Sequence, residues 1–394
     1  MPVNYQEIQR QIKEMGQQAP RVQQELQDRI RIGQELLAHH ANDLDGLRLL
    51  VQQTAEKVKH LRCAEPANEA LDFTFGPPPA SPAPPVLLAA DGSQVNPSRH
   101  ARIEFGLINV GVFRICPGQG LIPEEKVVSK LLYQEDLDSE QERLTEELLA
   151  LQRDSRERQL LAELASQESQ DVVTLTDGPL ELYSVNRDDR RFGQELEKYL
   201  DVLSKLASMN VATAGYVDKP ASDLVVRLLE LALLRNRPEA AGREHPLRGL
   251  TDAVLFRKLL QPGQRTAIFK IRSSTAEKFT GRLDGKLGLH FFYLNVGRER
   301  QPSLARVEIP AWVVIQPHLV NLLHGVLLQQ CACMGNRPYP YALHRAHEIA
   351  LVTFSERQQL EDLIIAELDR QRLPVADPSN KQYAKDLSPR RSRR

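Results

Sequence analysis

Four apolar runs, the last three separated by helical stretches, limit this chain's fold more than any other feature: "PVLLAADG", "IEFGLINVGVFRI", "DVVTLTD" and "NVATAGYVDK". Each reads as a strand bounded by turn residues. A charged helical run over about 123–169 lies between the second and third strands, and a helix over about 189–208 between the third and fourth. "SDLVVRLLELALL" follows as another helix. This order predicts an α/β protein with a mixed sheet flanked by helices. Further on, "AIFKIRSS", "LGLHFFYLNVG" and "ARVEIPAWVVI" read as antiparallel strands, and helices are expected over about 317–333 and 342–371.

The ends of the chain differ in character. Residues 4–62 carry apolar positions at helical spacing (Ile8, Ile12, Met15; Leu26, Ile30; Leu44, Leu47, Leu50), with Pro20 breaking the run. Two or three amphipathic helices are expected, either packed on their own domain or forming a coiled arm that pairs two subunits. "FGPPPASPAPP" at 75–85 reads as a stiff linker. The expected organisation is an N-terminal helical arm (1–74), this linker, a main α/β domain (86–371) and a basic tail (372–394) ending in "SPRRSRR".

With 51 basic against 52 acidic residues, any nucleic-acid surface must be a local patch, because no global positive field exists. No apolar run approaches the roughly 20 residues of a membrane helix, and the first residues lack a signal peptide's apolar centre. Cys63, Cys116, Cys331 and Cys333 match neither a zinc-site nor a disulfide pattern. A cytoplasmic location is expected.

Two strands end in the same dipeptide, Asp91-Gly92 and Asp177-Gly178. A carboxylate at the lip of an apolar strand is costly unless a cation, a donor or solvent meets it. Two neighbouring carboxylates suit Mg²⁺ or Mn²⁺, which favour hard oxygen ligands, and two such ions about 4 Å apart support phosphodiester cleavage. The glycines would let the backbone turn sharply after each acid. Spacing alone favours two strand-terminating turns with solvated acids.

The ordered set "AADGSQ", "TLTDGPL", "AGYVDKPASDLVVRLL", "GQRT", "ARVEIPAWV" and "RPYPYALHRAHEIALV" resembles the NurA family of nucleases over most of residues 86–352. The resemblance implies an RNase H-like fold. It also implies a manganese-dependent enzyme with two ions per site, Mg²⁺ being a possible substitute. Its expected activities are endonuclease on single-stranded DNA and 5′→3′ exonuclease at DNA ends. The implied partners are DNA, a second copy of the chain and a hexameric HerA-type ATPase translocase. Carried over residue by residue, Asp91 and Asp177 are metal ligands, and Glu157 is the helical glutamate before the second strand. Glu163 and Glu168 compete for that last role. His347 matches the histidine of a C-terminal Ala-His motif, as a ligand or a proton donor to the leaving group. Tyr339 and Pro340 match its Tyr-Pro, and His344 lies one turn before His347.

Lys219 and Arg265, near strand ends, are candidates for holding a phosphate together with Tyr339, or else surface ion-pair partners. Asp218 is a further possible ligand. Phe291, Phe292 and Tyr293 either stack bases or fill the core. The competing function is a catalytically silent RNase H-like scaffold or DNA-binding subunit of a translocase complex.

Overall fold

The computed structural model describes residues 3–81, 83–98, 101–139, 142–182 and 190–373. Most of the expected basic tail therefore lies outside the described residues. The described residues fold as two compact units: one lies within 1–80, 178–181 and 214–339, the other within 81–177, 182–213 and 340–394.

In the first unit, helix Tyr5–His39 continues through Pro20, where a break was expected. Proline removes one hydrogen bond and crowds the carbonyl four residues earlier. That residue is Gly16, with open space around its Cβ position. The helix buries only its end, through Ile30, Gly33 and Leu37. Helix Leu44–Lys57 buries Leu47, Leu50, Val51 and Thr54. Within the segment read as purely helical, Cys63–Pro66 is a strand, antiparallel to Phe269–Arg272. The antiparallel set continues through Leu289–Asn295 and Leu304–Pro310 to Gly215–Val217. Phe291, Phe292 and Tyr293 are all fully buried here, so they form core and offer no platform for bases. The proline-rich stretch is partly docked. A Cβ on Gly263 would meet Pro77 at 2.8 Å, and one on Gly325 would meet Pro78 at 3.5 Å.

The second unit is built on a four-stranded mixed sheet. Glu124–Leu132, Gly106–Ile115 and Val86–Val95 form an antiparallel meander, and Val172–Asp177 runs parallel to Val86–Val95. Thr213, at the start of strand Ala212–Val217, bonds Thr174 through the two hydroxyls at 2.9 Å. Glu124–Leu132 replaces the first part of the helical run expected over 123–169. Its glutamates and lysines are almost all exposed, as suits a sheet edge where charge blocks further pairing. The helix itself is Glu146–Ala165, capped by the Thr145 side chain accepting from Leu148 N at 3.1 Å.

Two helices hold the sheet. Glu146–Ala165 and Tyr341–Ala350 both pack on strands Val86–Val95 and Gly106–Ile115. The last expected helix is split, because Thr353 and Glu356 form a capping box that starts a separate helix, Phe354–Arg370. Leu360 and Ile364 of that helix pack on a small cluster of Val95, Phe105 and Leu107.

Candidate active site

The strand carrying Asp91 does not stop at the Asp-Gly. It runs on to Val95, with Gly92 paired to Val110. Gly92 is required by crowding. A Cβ there would lie 2.7 Å from Glu157 Oε1 and 2.6 Å from Arg153 Cγ. At Gly178 the reason is conformational: φ is +90° and the Cβ position faces open space, so the chain turns there as expected. Identical dipeptides thus answer different demands.

The parallel register matches Val86 with Val172 through Ala90 with Thr176, so Asp91 and Asp177 each follow directly on the last matched pair of two adjacent strands. Matched residues on neighbouring strands share a face, about 4.8 Å apart. Asp91 also pairs across the meander with Gly111, which therefore shares that face. A Cβ at Gly111 would stand 2.8 Å from Ala346 O and 2.7 Å from Ala350 N. Its absence lets helix Tyr341–Ala350 lie against the sheet.

That approach delivers His347. Its Nδ1 stands 2.6 Å from Asp91 Oδ2, and an ionised carboxylate only accepts, so the imidazole donates there. Asp91 Oδ1 accepts from Gly92 N at 2.8 Å. The end of the histidine helix is pinned too: Ser93 Oγ and Asn109 Nδ2 donate to the Ala350 carbonyl at 2.5 and 2.7 Å. Ser129 Oγ in turn donates to Asn109 Oδ1 at 2.6 Å. A helix leaves its final carbonyls unpaired, and here strand side chains satisfy one of them.

Glu157 reaches the same strand from the Gly92 side. It is almost wholly buried, and burial raises its carboxyl well above the usual range. Arg158 and Arg153 oppose that rise, while Asp154 and Asp91 add to it. Arg158 Nη1 donates to Glu157 Oε2 at 3.0 Å, and its guanidinium lies over the Tyr199 ring. The competing glutamates are engaged elsewhere. Glu163 pairs with Arg156, and Glu168 binds Arg114 through both oxygens. His344 is exposed beside Glu348.

Lys219, Asp218, Arg265 and Tyr339 belong to the first unit. Lys219 is exposed, at φ +45°. Arg265 is not presented to a ligand. It is buried, donates to both oxygens of Glu69 at 2.9 Å and stacks on Phe75 at 3.8 Å. Of the two readings given to it, ion pairing is the one the structure has, though inside the fold instead of on its surface. Tyr339 is half-buried and meets the Tyr216 ring edge-on.

Sequence reading missed Gly111, Arg153 and the Ser93–Asn109–Ser129 set. Only Asn109, a polar residue inside the apolar "LINVGVF", carried a signal.

The NurA domain matches residues 85–352, more than half of the chain. The chain belongs to the NurA family. No curated protein matches it. Among solved structures, the NurA nuclease from Sulfolobus solfataricus is 12% identical with a TM-score of 0.49, over 76% of this chain and 88% of that one. The catalytic domain of human Endonuclease V is 15% identical with a TM-score of 0.30, over 81% of this chain and 98% of that one. LC9-RNase H1, a type 1 RNase H with the type 2 active-site motif, is 15% identical with a TM-score of 0.19, over 52% of this chain and 85% of that one. The mixed sheet with its antiparallel meander, parallel fourth strand and flanking helices is the RNase H-like α/β arrangement expected for the family.

Among the described residues, no three His, Cys, Asp or Glu side chains form a group that could already enclose a metal ion. The donor chemistry nevertheless fits a hard divalent cation. Two carboxylates follow the last matched pair of adjacent strands, and a third is desolvated against the space that a Cβ on Gly92 would fill. No helix of the described residues is long and apolar enough to cross a membrane.

Proposed function

We propose that this NurA-family chain is a metal-dependent DNA nuclease hydrolysing phosphodiester bonds. The position of Asp91 and Asp177, each directly after the last matched pair of two adjacent parallel strands, together with His347 bonded to Asp91, carries the reading. Asp91, Asp177 and Glu157 would hold the metal, Mn²⁺ or Mg²⁺ at up to two ions per site. When bound, such ions activate water and neutralise charge on the phosphate. Asp91 keeps the His347 imidazole in one tautomer, with its proton on Nδ1. Nε2 is then free to ligate or to handle a proton at the departing oxygen. Burial makes Glu157 a carboxylate whose charged form gains from a nearby cation.

Family resemblance supports cleavage of single-stranded DNA, 5′→3′ trimming of DNA ends, a homodimer and work beside a HerA-type translocase in the cytoplasm. The test uses end-labelled single-stranded and duplex DNA with Mn²⁺, Mg²⁺ or EDTA, followed by sizing of the products. Cleavage should require the ion and vanish in Asp91→Ala with an unchanged circular dichroism spectrum. Cutting that survives EDTA, or proceeds at wild-type rate in that variant, overturns the reading.

A further inference from the structure

Three arginines crowd the segment "RDSRER", and the structure gives them different work. Arg158 is buried between Glu157, the Asp154 carbonyl and the Tyr199 ring. Arg156 pairs with Glu163 on the surface. Arg153 is the one whose head lies between Asp154 and the proposed ligand Glu157 while keeping contact with solvent. Its side chain is 28% exposed. Its Nε and Nη2 donate to Asp154 Oδ1 at 3.2 and 2.8 Å, and Nε stands 3.6 Å from Glu157 Oε1. Asp91 also acts on its charge. The stem is laid on the strand at Gly92, where an added Cβ would touch Cγ and Cδ at 2.6 and 2.9 Å.

We infer that Arg153 is the internal counter-ion of the carboxylate pocket, and that it binds the phosphate of the DNA backbone once divalent ions take over the acids. The inference rests on the nuclease reading above. Among the described residues, the ion pairs and side-chain hydrogen bonds of Arg153 are to Asp154 and Glu157, and no backbone carbonyl anchors its guanidinium. A divalent ion on Asp91 and Glu157 competes for the negative charge that holds the guanidinium. A released guanidinium has a planar fork suited to two phosphate oxygens. The solvent-exposed fraction of the side chain gives it room to move, which Arg158 lacks.

The experiment measures two quantities on Arg153→Gln and Arg153→Lys. Calorimetry without DNA reads Mn²⁺ affinity, and single-turnover cleavage with saturating Mn²⁺ and varied DNA reads the maximal rate and half-saturating DNA concentration. Arg153→Gln should bind Mn²⁺ at least fivefold more tightly while cleaving about 100-fold more slowly, a loss of the size expected for one transition-state donor. Arg153→Lys, which keeps the charge but not the fork, should bind Mn²⁺ as wild type does and recover only part of the rate. Equal or weaker Mn²⁺ binding by Arg153→Gln overturns the counter-ion role. Tighter binding with an unchanged rate overturns the phosphate role. Wild-type protein that binds Mn²⁺ but cuts no DNA instead sinks the nuclease reading, leaving the calorimetric result on Arg153 standing.

Discussion

Adding one methyl group at Gly92 tests whether Glu157 is seated against the strand as described. The new Cβ would lie 2.7 Å from Glu157 Oε1 and 2.6 Å from Arg153 Cγ, where ordinary contact begins at 3.4 Å. Each side chain must therefore retreat by about 0.7–0.8 Å. Overpacking of this kind costs about 1–3 kcal/mol. Stiffening the unfolded chain returns about 0.4–1 kcal/mol, since Gly92 has no positive φ that alanine would strain. A net loss of about 1–2 kcal/mol lowers the melting temperature by about 2–8 °C in a domain of this size. Activity should suffer far more, because a displacement approaching 1 Å at a reacting centre costs about 100-fold. The assay is Mn²⁺-dependent cleavage of labelled single-stranded DNA at 25 °C, with thermal melting of the same samples. A Gly92→Ala protein that cuts within about threefold of wild type would refute the placement of Glu157 in the site.

Other perturbations separate structural from chemical roles. Glu163→Gln should leave cleavage within about twofold and stability nearly unchanged, since its pair with Arg156 is exposed. Glu168→Gln should also keep activity but lose about 1–2 kcal/mol in denaturant titration, having broken a two-pronged bond to Arg114. Arg265→Ala should cost about 3–5 kcal/mol by stranding Glu69, with no change in DNA affinity at a temperature where it stays folded. Asp252 is fully buried, and burial raises its carboxyl to about 7 despite bonds from Val225 N, Val226 N and the Tyr293 hydroxyl. The folded state then holds a proton that the unfolded state releases above the ordinary aspartate value of 3.8, so stability falls as pH rises from about 4 to about 7. That slope, about 1.4 kcal/mol per pH unit, should flatten in Asp252→Asn when unfolding is titrated across the range.

How far the molecule could be read in advance varied with the physics at each place. Strands such as Val172–Asp177 were legible because an uninterrupted apolar run bounded by acids and turn residues has few other uses. Glu124–Leu132 was not. An edge strand carries the glutamates and lysines that also mark an exposed helix, and only its partner Gly106–Ile115 distinguishes the two. Asp91 and Asp177 were visible as a repeated dipeptide, yet their shared register is a fact of hydrogen bonding. Glu157 stood out from its neighbours only through the family pattern; burial and the Gly92 contact now distinguish it. The sequence left two readings open for Arg265 because its ion-pair partner Glu69 lies 196 residues away.

The parallel pairing that ends one residue before Asp91 and Asp177 also makes the placement of the two acids indifferent to the length of chain between them. Residues 116–123, a connection between two meander strands, can lengthen or shorten without moving either acid, since closing a longer loop adds little cost. A single residue inserted between Val172 and Thr176 is another matter: it would turn the second acid to the far side of the sheet. Relatives should therefore differ freely in those connections while keeping one unbroken count along the two central strands.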